Sequence, residues 1–146
     1  MPRRLTLLFV FSLLAAAAFS ASAADIGRIK VTSGDVHLER DGKRLPAAVD
    51  TAVRATDTVV TGPNGSVGMT FVDNSRVSAG PNSSLVLTRY TFDPATHAGS
   101  FDATLKRGTL AVVSGRMARQ SPEAVTVRTP TMVLGVRGTE FLVSAE

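Results

Sequence analysis

The residues in this chain that could do chemistry are few. There are two histidines, His37 and His97, no cysteine, and serines and threonines spread through the whole length. A Ser or Thr nucleophile needs a general base at hydrogen-bond distance. His37 falls inside an alternating strand-like segment and His97 in a polar stretch ending at Gly99, so neither has a recognisable catalytic setting. Serines such as Ser78 and Ser114 fall in turns or strands, where a hydroxyl bonds to nearby backbone. Paired carboxylates would be the other route, drawn from Asp57, Asp73, Asp93, Asp102, Glu123 and Glu140. Asp57 and Asp73 stand at turn positions that Asp fills routinely. The regular Asp/Gly spacing of calcium loops does not occur, and the lack of Cys removes thiolate metal sites and disulfides. The expectation is a protein that is not an enzyme and carries no cofactor and no metal.

One arginine asks for an explanation. In TPTMVLGVRGTEFLV, Thr129 to Val143, Arg137 lies between two glycines within an apolar segment. The spacing Gly135-Val136-Arg137-Gly138 is not that of a nucleotide-binding loop. The flanking glycines permit a backbone bend, and alternation resumes at Thr139, Phe141 and Val143. A guanidinium has five donors in a rigid fork, suited to clasping carbonyls and an acid across strands. The expected role of Arg137 is therefore a structural clasp with Asp57 or Asp73 as candidate partners. The competing role is a ligand or partner anchor, at Arg137 or Arg128, because the same fork binds carboxylates.

The elements that must position these residues read as strands. After the first 23 residues, short runs rich in Val, Ile, Thr and Phe alternate with Gly, Pro, Asn, Asp and Ser. Asp41-Gly42 signals a tight hairpin. The stretch from Pro46 to Asp57 reads as a bend or a single helical turn leading into a strand. Gly62-Pro63-Asn64-Gly65-Ser66 recurs eighteen residues later as Gly80-Pro81-Asn82-Ser83-Ser84, with Asp73-Asn74-Ser75 near the midpoint. Both copies are Pro-initiated turns, and behind them Val67 and Met69 match Leu85 and Leu87. The expectation is one all-β domain over 24–146, a compact solenoid or roll, with a β-sandwich as the alternative. Tyr90 and Phe92 lead into a hairpin whose polar tip, Asp93, Pro94, Thr96, His97 and Gly99, is the expected partner-facing loop. Lys106-Arg107-Gly108 reads as a turn before a buried strand, and 115–124 as a loop or brief helix.

The first 23 residues read differently. Arg3 and Arg4 precede fifteen uncharged residues from Leu5 to Phe19, followed by Ala21, Ser22 and Ala23, the layout of a signal peptide. As a helix that run would reach about 22 Å, short of the roughly 30 Å hydrocarbon core, so the expectation is cleavage and export rather than an anchor. Without those two arginines the net charge falls from +4 to +2, all twelve acidic residues being retained. The remaining basic residues are scattered and only Phe and Tyr could stack, so no nucleic-acid footprint is present.

The run Thr129, Pro130, Gly135, Val136, Arg137, Gly138, Thr139 and Phe141, taken with the turn from Thr61 through Gly62, Pro63, Asn64 and Gly65 to Ser66, resembles the FecR domain of bacterial envelope proteins. The resemblance covers most of the chain after the leader. It implies an all-β exported module, periplasmic or secreted, that contacts an envelope protein and takes part in signalling. In that family a periplasmic part receives a signal from an outer-membrane transporter and a cytoplasmic segment controls a sigma factor. Only MPRR precedes the apolar run and five residues follow Phe141, so neither the cytoplasmic segment nor a further signalling domain is expected. A small ligand or cell-wall glycan is the alternative occupant.

Overall fold

The computed structural model describes residues 24–135 and 140–146. They form an all-β protein built from one curled twelve-stranded sheet. The first strands come as the turn residues dictate. β1 (Asp25–Ser33) is followed by β2 (Val36–Arg40) and β3 (Lys43–Pro46), which pair as a hairpin around Asp41 and Gly42, both at positive φ. The segment behind Pro46 bends, with Asp50 and Thr56 also at positive φ, and contributes only the short β4 (Ala52–Arg54) and then β5 (Thr58–Thr61).

The eighteen-residue echo marks two corners. The first joins β5 to β6 (Ser66–Phe71); a hairpin at Asp73-Asn74-Ser75 leads into β7 (Arg76–Ala79); the second corner joins β7 to β8 (Ser84–Phe92). A solenoid would stack equivalent strands of successive laps in parallel, but here β5 pairs antiparallel with β8 and β6 with β7. The two copies thus carry the chain out to one half of the sheet and back again. Their residues interlock: Thr61 Oγ1 donates to Gly80 O at 2.6 Å, Ser83 N donates to Thr61 Oγ1 at 2.8 Å, and Asn82 N donates to Gly62 O at 3.0 Å.

The strand that unites the halves is β9 (Gly99–Val113). Up to Arg107 it pairs with β8, and from Leu110 to Val113 with β7, so the sheet order is β3-β2-β5-β8-β9-β7-β6-β1-β4. Lys106-Arg107-Gly108, expected to end a strand, instead bends this one. Gly108 adopts φ +96°, and a Cβ there would stand 2.6 Å from that of Ser83, so a side chain would block the bend. On its other side β9 carries β10 (Val125–Arg128), the one parallel neighbour among the described pairings, and β12 (Glu140–Ala145); β11 (Val133–Gly135) extends β10.

Burial follows the alternation. Val67, Met69 and Phe71 of β6 and Leu85 and Leu87 of β8 point inward, while Thr70 and Thr88 do not. Each such side chain contributes roughly 1.5–3 kcal/mol on leaving water. One departure is Val31, which is exposed because a register shift after Ile29 turns it to the outer face. Phe71 from one half of the sheet meets Tyr90 and Phe101 from the other, at centroid distances of 5.4 and 5.2 Å, so the curled halves close on a shared aromatic centre. Met117 of the short helix α1 (Arg116–Gln120) is fully buried in the same core, and a 3₁₀ turn, Pro122–Ala124, leads from α1 into β10.

Candidate functional site

The site is assembled from two elements the chain keeps apart: the β8–β9 hairpin tip, 93–98, and α1. The tip is braced from within. Asp93 Oδ1 accepts from Ala95 N at 2.8 Å, His97 N donates to Asp93 O at 2.7 Å, and Asp93 N donates to Ala98 O at 2.8 Å. Thr96 Oγ1 accepts from Ala98 N, and the His97 ring stacks on Phe92 with centroids 6.0 Å apart. Local side-chain acceptors of this kind give a polar loop a fixed shape.

α1 is positioned by a carboxylate. Asp73, in the β6–β7 hairpin, has no solvent exposure, and its carboxylate meets only donors, while its own amide donates to Tyr90 Oη at 3.3 Å. Its Oδ1 accepts from Tyr90 Oη at 2.8 Å and Ser75 N at 3.1 Å; its Oδ2 accepts from Ser75 Oγ at 2.7 Å and Met117 N at 3.3 Å. Its carbonyl oxygen accepts from Arg116 N at 2.8 Å. The first turn of α1 is thus fastened to Asp73 through two amides. Gly115 makes the approach possible: a Cβ there would lie 2.6 Å from Ser75 Oγ and 2.5 Å from Asp73 O. Burial, and then the hydrogen bond and charge of Asp73, push the Tyr90 phenol above its usual pKa.

With α1 held, Arg116, Arg119 and Gln120 face His97 across an open cleft. Arg116 and Arg119 are both exposed, and among the described residues neither has an acidic partner; Arg119 Nε reaches only Gly115 O, at 3.3 Å. The tip is signalled by its turn residues, whereas these arginines are not among the candidates the sequence offers. The available signal was Arg116 and Arg119 three residues apart, bracketing Met117 and Ala118, the spacing that puts two charges on one helical face above an apolar anchor.

A family model described as FecR protein matches residues 57–146, more than half of the chain. The chain belongs to the FecR family. No curated protein and no solved structure matches it. The FecR match begins at Asp57 and takes in Asp73, Tyr90, the hairpin tip and α1. The strands before it are tied to the FecR segment by a second buried carboxylate. Arg40 grips the fully buried Asp57 with both limbs of its fork, Nε to Oδ1 at 2.8 Å and Nη2 to Oδ2 at 2.7 Å, while Arg54 N donates to Oδ2 at 2.9 Å. Arg40 Nη2 also reaches Ala52 O. The hydrogen bond to Asp57 raises the Arg40 pKa against the opposing effect of burial.

A guanidinium–carboxylate clasp therefore exists in this FecR chain, between Arg40 and Asp57. The clasp expected of Arg137, with its neighbours Val136, Gly138 and Thr139, lies outside the described residues. Around them, Thr129 forms a tight turn with Met132, its Oγ1 accepting from Met132 N at 3.1 Å, and Pro130 sits exposed in that turn. Gly135 closes β11, and Phe141 in β12 packs partly buried against the core. Gly62, Pro63, Asn64 and Gly65 form the first corner, which follows β5 beside the start of β8, where Val60 pairs with Ser84, whereas the tip follows the other end of β8 at Phe92. Among the described residues the one polar side-chain contact of the His37 ring is Glu39 on its own strand, at 3.4 Å. Among the described residues no group of His, Asp and Glu is arranged to hold a metal.

Proposed function

We propose that this FecR domain is a non-enzymatic interaction module of the bacterial envelope, exported by its leader, which docks a partner protein on the β8–β9 tip and the adjoining face of α1. The observation that carries the reading is an internally braced tip standing beside two arginines that have no acidic partner among the described residues. A binding surface that is already ordered loses little conformational entropy on association. The family favours a signalling-related role in the envelope, and its domains are typically periplasmic. No described helix is long and apolar enough to cross a membrane. The non-enzymatic part of the reading is supported by the two central carboxylates: Asp57 and Asp73 are enclosed and spend their oxygens on structural donors, which leaves neither facing a substrate.

The test is capture from envelope extract with the intact domain and with tip variants. Replacing Thr96 by Glu and Pro94 by Arg, both exposed, is expected to abolish retrieval of a discrete partner while leaving thermal melting unchanged. Undiminished retrieval by such variants would remove the tip from the docking surface.

A further inference from the structure

Resting on the docking reading above, we infer that the cleft between the tip and α1 is built for an acidic, extended polypeptide segment of the partner, whose carboxylates pair with Arg116 and Arg119. Two exposed guanidinium groups, with His97 and Gln120, line the opening, and the one tip acid, Asp93, already has its Oδ1 on the Ala95 amide. Guanidinium forks pair with carboxylates in two parallel hydrogen bonds.

Spacing then selects the shape of the occupant. Residues three apart on a helix place their Cβ atoms about 5–6 Å apart, and alternate residues of an extended chain, which share a face, are separated by roughly 6.5–7 Å. Two acids at alternate positions of an extended segment therefore meet the two arginines together. A single small carboxylate would engage one fork and leave the other unpaired. Anionic lipid is disfavoured because, among the described residues, the exposed large apolar side chains, such as Val31, Val72 and Leu142, all lie outside the tip and α1, so no such side chain of the tip or α1 would insert among acyl chains. Nucleic acid is disfavoured because the sole tyrosine, Tyr90, is buried, there is no tryptophan, and Phe92 at the base of the tip is already covered by the His97 ring.

The arginines are held on a fixed platform. The base of the tip packs on α1, since a Cβ at Gly99 would lie 3.0 Å from Met117 Cε, and Asp73 fastens the helix from beneath. The backbone from which the two arginines project is thus set by the core, so the segment orders only their side chains when it binds.

The experiment titrates the intact exported domain with a labelled peptide carrying Glu at alternate positions, an otherwise identical peptide with Gln, and acetate. The Glu peptide is expected to bind, more weakly as salt rises, with the Gln peptide and acetate about tenfold weaker. Arg116→Glu with Arg119→Glu should weaken the Glu peptide by about tenfold, and Arg116→Gln with Arg119→Gln by less, each with melting unchanged. Equal binding of the Glu and Gln peptides, indifference to both double substitutions, or equal affinity for acetate would each overturn the inference. The outcome is separable from the docking test: tip variants that lose the partner while charge reversal leaves the Glu peptide bound sink this inference alone, and the converse sinks docking through the tip.

Discussion

Replacing Asp73 by Asn removes one acceptor from the centre of the fold and changes the volume hardly at all. The carboxylate serves four donors, two on each oxygen, and on each side one is a hydroxyl and the other a backbone amide: Tyr90 Oη and Ser75 N on Oδ1, Ser75 Oγ and Met117 N on Oδ2. A hydroxyl can rotate to accept instead of donate; an amide cannot. Whichever way the Asn amide is turned, its NH₂ therefore faces a buried backbone N–H, that of Ser75 or that of Met117. One buried unsatisfied donor costs about 1–3 kcal/mol, and relief from burying a charge offsets part of the loss of charge-assisted bonds. The expected net effect is about 2 kcal/mol. For a chain of this size that is roughly 6–10 °C in Tm. Thermal melting followed by circular dichroism measures it, and amide hydrogen exchange should show faster opening at Met117, the first link to α1. A Tm within about 2 °C of the parent, with Met117 exchange unchanged, would refute the assignment of Asp73 as the fastening of α1.

Two further outcomes follow from the other polar groups of the interior. Arg40→Met leaves Asp57 buried with only the Arg54 amide, and is expected to cost about 3 kcal/mol, the lower end of the range for breaking a buried pair, because the Arg40 side chain keeps 21% exposure; urea unfolding measures it, and Arg40→Lys should recover only part for want of the bidentate fork. Tyr90, whose folded-state pKa is raised, keeps its proton in the native protein beyond the roughly pH 10 of free tyrosine. The stability this contributes is complete below that pH and is lost as pH rises through the folded value. With one tyrosine and no tryptophan in the chain, tyrosinate absorbance reads this group alone, and its appearance should coincide with alkaline unfolding; titration near pH 10 in the folded protein would contradict the burial and bonding described.

Much of the fold was legible because its signals are local. The all-β class, the Asp41-Gly42 hairpin, the tip from Asp93 to Gly99 and the inward set Val67, Met69, Leu85 and Leu87 follow from period-two alternation and turn chemistry, which each segment carries in its own few residues. A solenoid is suggested because the repeat of Gly-Pro-Asn resembles a repeat of laps. Turn chemistry specifies that the chain bends; which strand it then pairs with is set by distant partners, here antiparallel β5 with β8. Lys106-Arg107-Gly108 likewise suggests an end because nothing nearby shows that Ser83 and Thr109 hold β9 together through the bend, Thr109 N donating to Ser83 Oγ at 3.1 Å.

The candidate site was half legible for the same reason. The tip announces itself by Asp, Pro and Gly, whereas α1 is five residues with no acid in its first turn and no side-chain cap, below the length at which helix periodicity is visible or an isolated helix is stable. Its stability is imported. Asp73, which in sequence is only turn punctuation midway between the two corners, supplies the acceptors for the first amides of α1 from 44 residues away, and Gly115 supplies the room. The hairpin turn of one half of the sheet thereby sets where Arg116 and Arg119 stand against the hairpin tip of the other. A change in Asp73, itself buried, is therefore a change in the proposed docking cleft.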